Sequence, residues 1–312
     1  MSWKILVTDG LEENGQAVLR QFADVVDQPA ITAEELLQVV HNYDAVIVHS
    51  RTKLTPAVFA AAPGLKVVGR AGVGVDNIDL AAASEHHVTV VNAPVATTIA
   101  VAELAMGLML SMMREIPRAD AEMRAGKWLK REMEGNELYQ KTLGVLGCGR
   151  IGTAVGQRAA AFGMTVIGYD ALKPAEEIRK TGIEPVSLDQ LYGRADVITV
   201  HTPLTSDTRE MIGADEMAKM KKGVRLICTA RGNIIDETAL LAALESGQVA
   251  SAALDVFGVE PPGQTALVNH PHMISTPHIG AQTIEAQQRA AADIASEVLA
   301  ALRGEPLRWK VT

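Results

Sequence analysis

The stretch Leu143-Gly144-Val145-Leu146-Gly147-Cys148-Gly149-Arg150-Ile151-Gly152 joins an apolar strand to a helix through the spacing G-x-G-x-x-G. A second strand, Thr165–Tyr169, follows that helix and ends at Asp170, 18 positions after Gly152. The glycine spacing alone is a weak signal. Because it lies between two strands, the second of which ends in an acid, it predicts a dinucleotide-binding βαβ unit.

Each glycine of this loop has its own physical role in that interpretation. Gly147 permits the tight turn out of the strand, Gly149 lets a pyrophosphate approach the backbone, and Gly152 lets helix and strand pack closely. The helix N-terminus offers unpaired N–H groups and a partial positive charge to the pyrophosphate. Asp170 is predicted to accept hydrogen bonds from ribose hydroxyls and to repel a 2′-phosphate, so that NAD is favoured over NADP.

Short apolar strands alternate with helical patterns along most of the chain. In the first hundred residues the predicted strands are Ile5–Thr8, Asp24–Val26, Ala45–His49, Lys66–Arg70 and Thr89–Asn92. The second set of predicted strands is Leu143–Gly147, Thr165–Tyr169, Asp196–His201, Val224–Thr229, Ser251–Val256 and Met273–Thr276. This alternation predicts an α/β fold with two doubly wound parallel sheets and one cleft between them.

Two predicted helices, Thr98–Arg114 and Arg118–Gly126, and the polar segment Lys130–Gln140 separate the two sets of strands. The last predicted helix, Ile284–Arg303, is amphipathic and ends at Gly304. Its periodicity indicates that one face is buried but not which sheet that face covers.

Composition excludes several classes of protein. The net charge is −8 and the pI is about 5.5, which argues against a nucleic-acid binder or a polybasic membrane binder. The most apolar run, Ile99–Met113, contains Glu103 and is shorter than the roughly 20 residues of a membrane span. Cys148 and Cys228 form neither a CxxC pair nor part of a metal-ligand cluster. With no signal-peptide pattern at the N-terminus, we expect a cytoplasmic protein with reduced thiols and no metal.

Polar residues cluster where strands of the second set end, which is the edge at which open α/β sheets form their ligand crevice. These ends are His201-Thr202-Pro203, Thr229-Ala230-Arg231-Gly232, Leu254-Asp255-Val256 and Thr276-Pro277-His278-Ile279-Gly280, and Glu260 lies between the last two. The position of these residues beside a dinucleotide loop predicts a catalytic site.

Four longer segments of the sequence resemble motifs of a known enzyme family. The segments Ala230-Arg231-Gly232-Asn233-Ile234-Ile235-Asp236-Glu237, Ala253-Leu254-Asp255-Val256-Phe257 with Glu260-Pro261, and Thr276-Pro277-His278-Ile279-Gly280 resemble the D-isomer-specific 2-hydroxyacid dehydrogenase family. The segment Gly69-Arg70-Ala71-Gly72-Val73-Gly74-Val75-Asp76-Asn77 resembles its D-3-phosphoglycerate dehydrogenase branch. The resemblance covers essentially the whole chain.

The resemblance implies a domain arrangement. A Rossmann-type NAD domain (98–284) is expected to be inserted into a flavodoxin-like substrate domain (1–97 and 285–312), with a dimerisation segment at 99–140. It also implies a homodimer, or a tetramer built from it, and a short form without a regulatory C-terminal domain.

In that family an Arg, a Glu and a His perform the chemistry, and these correspond to Arg231, Glu260 and His278. The chemistry supports these assignments independently. Oxidation of a secondary alcohol needs a base for the hydroxyl proton, and His titrates in a suitable range. The Glu260 carboxylate fixes the tautomer of the ring and stabilises its protonated form, while the Arg231 guanidinium holds the substrate carboxylate and polarises the carbonyl oxygen.

The same resemblance implies further contacts with NAD. The pyrophosphate would be bound by the backbone N–H groups of Arg150 and Ile151, and the adenosine side would be lined by Thr202, Pro203 and Thr208. The residues expected near the nicotinamide are Ala230, Arg231, Asp255, His278, Gly280 and Thr98.

The substrate is expected to be a small anionic 2-hydroxy or 2-keto acid. The turn at Gly72, Val73 and Gly74 offers backbone N–H groups that can form an anion nest for a carboxylate. Basic residues near the end of the third strand grip a substrate phosphate in phosphoglycerate dehydrogenases, and Arg51 fits that role. His49 departs from the Arg often found at its position. Lys130 matches a position that in some relatives reaches the neighbouring subunit's site.

These features favour NAD-dependent oxidation of D-3-phosphoglycerate to 3-phosphohydroxypyruvate, a step toward serine. Reduction of hydroxypyruvate or glyoxylate by the same three residues is the alternative within the family. Relatives that oxidise formate or phosphite would not need a basic pocket. From another class, an NAD-sensing corepressor-like binding module resembles this family, although such proteins usually carry disordered tails. A methyltransferase would leave Arg231, Glu260 and His278 without a role.

Overall fold

The computed structural model describes residues 2–312. The chain divides into two compact units. The first comprises the residues up to Thr98 together with Ala281–Thr312, and the second comprises Ile99–Gly280. In the part of the chain that the structure describes, no helix combines the length and the apolar character that a membrane crossing requires.

The first unit contains a five-stranded sheet in which all strands are parallel. Its strands are β1 (Trp3–Val7), β2 (Ala23–Asp27), β3 (Ala45–Val48), β4 (Val67–Arg70) and β5 (Thr89–Asn92). They lie in the order β2-β1-β3-β4-β5, which is the flavodoxin-like order. Its helices are α1 (Glu13–Arg20), α2 (Ala33–Val39), α3 (Pro56–Ala61) and α4 (Leu80–Glu85), with the last helix of the chain, α12 (Ile284–Arg303).

Successive side chains of this sheet enter two separate cores, because side chains alternate across a strand. Leu6, Val46 and Val48 pack with α2, α3 and α4 on one face. Ile5 and Ile47 pack with α1 and α12 on the other. The sheet is therefore doubly wound, and its strands read as continuous apolar runs because both of its faces are covered.

The last helix, α12, packs closely against this sheet and against α1. A Cβ added at Gly69 in β4 would lie 2.5 Å from Cγ2 of Val298, and one added at Gly15 in α1 would lie 2.6 Å from the carbonyl oxygen of Ala291. Glycines at these two positions permit the helix to approach that closely. Glu297 of α12, 2% exposed, bonds Arg308 at 2.8 Å and so anchors the C-terminal segment.

The second unit contains a seven-stranded sheet, also parallel. Its strands are β6 (Thr142–Leu146), β7 (Thr165–Tyr169), β8 (Glu184–Pro185), β9 (Val197–Val200), β10 (Val224–Cys228), β11 (Val249–Leu254) and β12 (Met273–Ser275). The order is β12-β11-β10-β9-β6-β7-β8, which is the Rossmann order extended by one strand. The strand order reverses between β6 and β9, so the ligand crevice is expected at their carboxyl ends.

Helices cover both faces of this sheet. They are α5 (Thr98–Arg114), α7 (Arg150–Ala161), α8 (Ala175–Lys180), α9 (Leu188–Arg194), α10 (Ala214–Lys219) and α11 (Glu237–Glu245). Helix α6 (Ile116–Arg124) belongs to the same unit but buries none of its residues. One core contains side chains of α5, α7 and α8, and the other contains side chains of α9, α10 and α11. The prediction of two doubly wound parallel sheets is confirmed.

Several predicted elements differ from the structure by one or two residues at their ends, as at β11, predicted at Ser251–Val256 and found at Val249–Leu254. The helix expected at Arg118–Gly126 spans Ile116–Arg124, because Pro117 favours the first turn of a helix and Glu115 ends α5 with a left-handed φ of 50°. The two-residue strand β8 was not predicted, because so short an edge strand has no period to detect.

Candidate active site

The glycine loop lies between β6 and α7, as its pattern predicts. Gly147 has φ +92°, and a Cβ on Gly152 would lie 2.1 Å from the Gly147 carbonyl oxygen. Neither position accepts a side chain. A Cβ on Gly149 would meet nothing within 4 Å, so the open side of the turn is at Gly149, where α7 begins with Arg150 and Ile151. The loop therefore fits a pyrophosphate held by the first amides of a helix.

Asp170 lies directly after β7, and its carboxylate is bonded to backbone amides. Oδ2 accepts the Cys148 N–H at 2.9 Å, and Oδ1 accepts those of Leu172 at 2.9 Å and Lys173 at 3.2 Å. Lys173 also donates from Nζ to the Cys148 carbonyl at 2.8 Å. Since each carboxylate oxygen can accept two bonds, Oδ2 retains one acceptor position for a ribose hydroxyl.

The two cysteines of this unit are buried, unpaired thiols. Burial, with the negative charge of Asp170, raises the pKa of Cys148 to about 12. Burial likewise raises the pKa of Cys228 to about 11. Both side chains remain protonated at neutral pH, so neither supplies a thiolate for catalysis.

Buried polar atoms without a partner lie at the carboxyl ends of β9 and β10. Among residues 2–312, the hydroxyls of Thr202 and Thr229 and the Nδ1 atom of His201 have no hydrogen-bond partner. Burial lowers the pKa of His201 to about 4, so its ring is neutral. Unsatisfied buried polar groups are costly, and groups at this crevice are available to a polar ligand.

The loop after β9 is organised by Thr208. Its hydroxyl donates to the Pro203 carbonyl at 2.6 Å and accepts the Thr205 N–H at 2.7 Å. Thr208 therefore shapes the turn that contains Pro203, and its hydroxyl already has two protein partners.

Asp255 follows β11 and is 1% exposed. Its Oδ1 accepts the Thr276 hydroxyl at 2.6 Å and the Ile279 N–H at 2.9 Å, and its Oδ2 accepts the Gly280 N–H at 2.8 Å. These bonds fasten the loop in which His278 has the left-handed φ of 55°. Asp255 thus positions the loop of His278, and Oδ2 retains one acceptor position for a ligand amide.

His278 and Glu260 are brought together by the fold, although 18 positions separate them in the chain. His278 Nδ1 lies 2.8 Å from Glu260 Oε2, and the side chains are 46% and 39% exposed. A carboxylate only accepts hydrogen bonds, so Nδ1 carries the hydrogen and Nε2 is the nitrogen that can take a proton. Glu260 Oε1 also accepts the Phe257 N–H at 3.1 Å.

Arg231 lies in the loop after β10, and its Nη1 donates to the Ala230 carbonyl at 2.6 Å. The next residue, Gly232, is packed against the loop that leads to Glu260. A Cβ at Gly232 would lie 1.9 Å from the Phe257 carbonyl oxygen. The segment of Arg231 and the loop of Glu260 are therefore in direct backbone contact.

In the first unit, the Arg51 guanidinium pairs with Asp9. Nη2 lies 2.9 Å from Asp9 Oδ1 and also donates to the Thr8 carbonyl, while Nη1 donates to the Ile31 carbonyl at 2.9 Å. About half of the Arg51 side chain is exposed. An anion that binds there would share the guanidinium with Asp9.

The predicted anion nest lies after β4. Gly72 has φ +149°, and Arg70 Nη1 occupies the place of a Cβ, 1.5 Å from its ideal position. The Val73 carbonyl accepts from Asn92 Nδ2 at 2.7 Å, and Gly74 follows in the same turn. Burial, with the positive charge of Arg70, lowers the pKa of His49, so His49 is a neutral side chain here.

Two further predicted residues, Thr98 and Lys130, lie in the part of the chain between β5 and β6. Lys130 is exposed in the turn that follows α6. Thr98 is the first residue of α5, and its hydroxyl is buried without a partner among residues 2–312.

Three residues of these networks were not predicted. Asp9 could have been found because it lies two residues after the end of β1, at the carboxyl edge of the first sheet, and the corresponding edge of the second sheet is where the catalytic residues were sought. Glu237, whose Oε1 accepts the Gly258 N–H at 2.6 Å, is the last residue of the segment Ala230–Glu237 that carries the family resemblance. Lys173 has no sequence signal beyond its closeness to Asp170.

Comparison with known proteins shows the family of this chain. Residues 106–280, more than half of the chain, match the family model for the NAD-binding domain of D-isomer-specific 2-hydroxyacid dehydrogenases. The chain is 50% identical over 304 residues to D-3-phosphoglycerate dehydrogenase 2, chloroplastic, of Arabidopsis thaliana, covering 97% of this chain and 49% of that protein. It is 49% identical over 303 residues to D-3-phosphoglycerate dehydrogenase of Methanocaldococcus jannaschii, covering 97% and 58%.

The chain thus spans about half the length of the curated relatives it matches. Among solved structures, a glyoxylate reductase from Paecilomyes thermophila superposes with a TM-score of 0.91 at 33% identity, covering 99% of this chain and 98% of that one. The predicted cofactor, NAD, and the predicted family resemblance are both confirmed. The chain belongs to the D-isomer-specific 2-hydroxyacid dehydrogenase family.

Proposed function

We propose that this protein transfers a hydride between NAD and the second carbon of a small anionic 2-hydroxy or 2-keto acid. The observation that carries the proposal is the pairing of His278 with Glu260 at 2.8 Å, in the unit that holds the glycine loop. A base oriented by a carboxylate, beside a dinucleotide site, is the arrangement that alcohol oxidation needs. We further propose that the first unit, with predicted bounds 1–97 and 285–312, is the substrate domain.

In the proposed reaction, bound NAD supplies the hydride acceptor. His278 Nε2 takes the proton of the substrate hydroxyl, and the ring passes it to water after product release. Glu260 holds the ring in the Nδ1–H tautomer and stabilises the imidazolium that forms. Arg231 binds the substrate carboxylate and the carbonyl oxygen that develops. In the reductive direction His278 donates the same proton.

For the substrate, we propose D-3-phosphoglycerate, which would be oxidised to 3-phosphohydroxypyruvate, a step toward serine. The support is the printed name of the two relatives near 50% identity and the basic residues of the first unit, Arg51 and Arg70. The second candidate is reduction of glyoxylate or hydroxypyruvate. It is favoured by the glyoxylate reductase that the chain resembles over its whole length and by the engagement of Arg51 with Asp9.

The expected result that separates these substrates is a selective defect in Arg51→Ala. Its KM for 3-phosphoglycerate should rise about tenfold or more, since a charge-assisted bond contributes about 1.5–3 kcal/mol. The KM for NAD and the reduction of hydroxypyruvate should be nearly unchanged. Steady-state kinetics on a panel of 2-hydroxy acids measures this, with the exposed neighbour Lys53→Ala as control. Unchanged 3-phosphoglycerate kinetics in Arg51→Ala would favour the non-phosphorylated acids.

Cofactor choice is expected to depend on Asp170. The wild type should prefer NAD strongly over NADP, because a 2′-phosphate would approach a carboxylate. Asp170→Ala should relax that preference. Because Asp170 also accepts the Cys148 N–H, the variant should lose some affinity for NAD as well. Steady-state kinetics with NAD and NADP measures the preference, and fluorescence titration measures the affinity for each cofactor. Equal catalytic efficiency with NADP in the wild type would contradict the assignment.

We propose that the protein forms a two-fold symmetric dimer, or a tetramer built from it, through the segment 99–140. That segment exposes large apolar side chains, including Ile99, Ile116, Met123 and Trp128, the last 76% exposed. Exposed apolar groups of this size in one segment are typical of an interface. In that dimer Lys130 would assist the neighbouring subunit's phosphate site. Light scattering measures the assembly, and a monomer would remove this role of Lys130.

We also propose a cytoplasmic location, which suits the two unpaired cysteines because that compartment keeps thiols reduced. Cell fractionation would test it. An NAD-sensing corepressor-like module remains the contrasting class. It would bind NAD without turning over any acid of the panel.

A further inference from the structure

Glu237 is a carboxylate near the proposed catalytic residues that has no part in the proposed reaction. It is the first residue of α11, and the preceding residue, Asp236, already caps that helix by accepting the Thr238 and Ala239 N–H groups at 2.9 and 3.1 Å. Glu237 is therefore not needed as a cap. Its Oε1 accepts the N–H of Gly258 at 2.6 Å, across 21 positions of sequence.

Gly258 is bonded at both of its backbone polar groups by the segment that follows Arg231. Its N–H donates to Glu237, and its carbonyl accepts from Asn233 Nδ2 at 3.5 Å. A Cβ on Gly258 would lie 2.5 Å from Asn233 Oδ1, so the side chain of Asn233 packs directly on the Gly258 backbone and leaves no room for a side chain there. Of the two bonds, the one that Gly258 donates to Glu237 is shorter and charge-assisted, and it is therefore the stronger.

This contact has a direct connection to the proposed base. Gly258 follows Phe257, whose N–H donates to Glu260 Oε1 at 3.1 Å. The other oxygen of Glu260 bonds His278 Nδ1 at 2.8 Å. A displacement of the backbone at Phe257 and Gly258 would therefore turn the Glu260 carboxylate and move the imidazole with it.

We infer that Glu237 is a positioning residue that holds the Glu260 loop, and through it the His278 ring, in register with the segment of Arg231. The inference rests on the roles proposed above for those three residues. It gives the acid at 237 a specific function: a hydrogen-bond acceptor for one backbone amide, placed in the first turn of a helix, where the helix dipole favours an anion.

The kinetic test compares Glu237→Ala with Glu237→Gln. We expect Ala to lower kcat about 10- to 100-fold, because a misplacement near 1 Å costs on that order, while the Kd for NAD, measured by fluorescence titration, stays within about twofold. Gln should restore kcat to within about fivefold of wild type, because its amide oxygen can accept the Gly258 N–H. The control is Glu177→Ala, an exposed Glu in the first turn of α8, which should match wild type.

Two further measurements make the inference decisive. In Glu237→Ala, hydrogen–deuterium exchange of the peptide that spans Asp255 to Glu260 should speed up, while Glu177→Ala leaves it unchanged. Combined with Glu260→Gln, Glu237→Ala should cost less in kcat than the product of the two single effects, since both act through one loop. Unchanged exchange, an equal defect in Ala and Gln, or multiplicative effects would overturn the inference. A wild type without dehydrogenase activity would instead contradict the proposed function. The exchange measurement would still show whether the Glu237–Gly258 hydrogen bond holds the Glu260 loop.

Discussion

Replacing His278 with Ala is expected to lower kcat by about 10²–10⁴-fold, the usual contribution of general acid–base catalysis. The imidazole is half exposed, and its Nδ1 is bonded to Glu260, so Nε2 is the atom that exchanges a proton with the substrate. Affinity for NAD should change little, because the glycine loop that binds the pyrophosphate is formed by other residues. Steady-state kinetics and cofactor titration on the same preparation measure the two effects.

A matched control for this variant is His272→Ala. His272 is an exposed histidine in the same unit, and it shares a ring contact with His270 rather than with the catalytic loop. Its removal should leave kcat within about twofold of wild type, as surface substitutions usually do. If His278→Ala and His272→Ala behaved alike, the proton acceptor would have to be another group.

The second large effect is expected for Arg231→Gln, which should lower kcat/KM by about 10²–10³-fold, the range found when one preorganised donor to a developing oxyanion is removed. The neutral amide cannot replace the two parallel N–H groups that a guanidinium offers a carboxylate. Because Arg231 is proposed to contact both the carboxylate and the carbonyl oxygen, kcat should fall and KM for the acid should rise together.

Arg209→Gln serves as the control for that variant, since Arg209 is an exposed arginine of the same unit. Kinetics with the acid varied at saturating NAD separates kcat from KM. A variant at Arg231 that raised only the KM for the acid would show uniform binding without stabilisation of the transition state, and the polarising role would be wrong.

Much of the fold could be predicted because its signals are local. Thr89–Asn92, Thr165–Tyr169 and Ile284–Arg303 have the predicted bounds in the structure, since each has a clear apolar period and ends beside a residue that favours a turn or a helix end. The end of α12 is one example: Gly304 takes φ +70°, which favours glycine. Helix α6 was misplaced because the polar face of a surface helix carries little positional information.

The members of the candidate site could be proposed from sequence because parallel strands bring their carboxyl ends to one edge. Any polar residue near the end of such a strand is thereby a candidate, and Arg231 and Asp255 lie in segments that were chosen in this way, whereas Asp170 was found by its spacing after the glycine loop. That rule does not predict which atoms of these residues form hydrogen bonds with each other or with the backbone. Asp170, for example, bonds three backbone amides, one of them in the glycine loop.

The sequence by itself determined the two sets of parallel strands, the dinucleotide loop and the family, because each depends on spacing within a short stretch. Only the tertiary structure decided that α12 approaches β4 and α1 closely enough to require Gly69 and Gly15, that Arg51 is paired with Asp9, and that Glu237 bonds Gly258. The physical reason is common to all three. A helix face, a guanidinium or a carboxylate accepts many partners of suitable chemistry, and the packing of distant segments selects one of them.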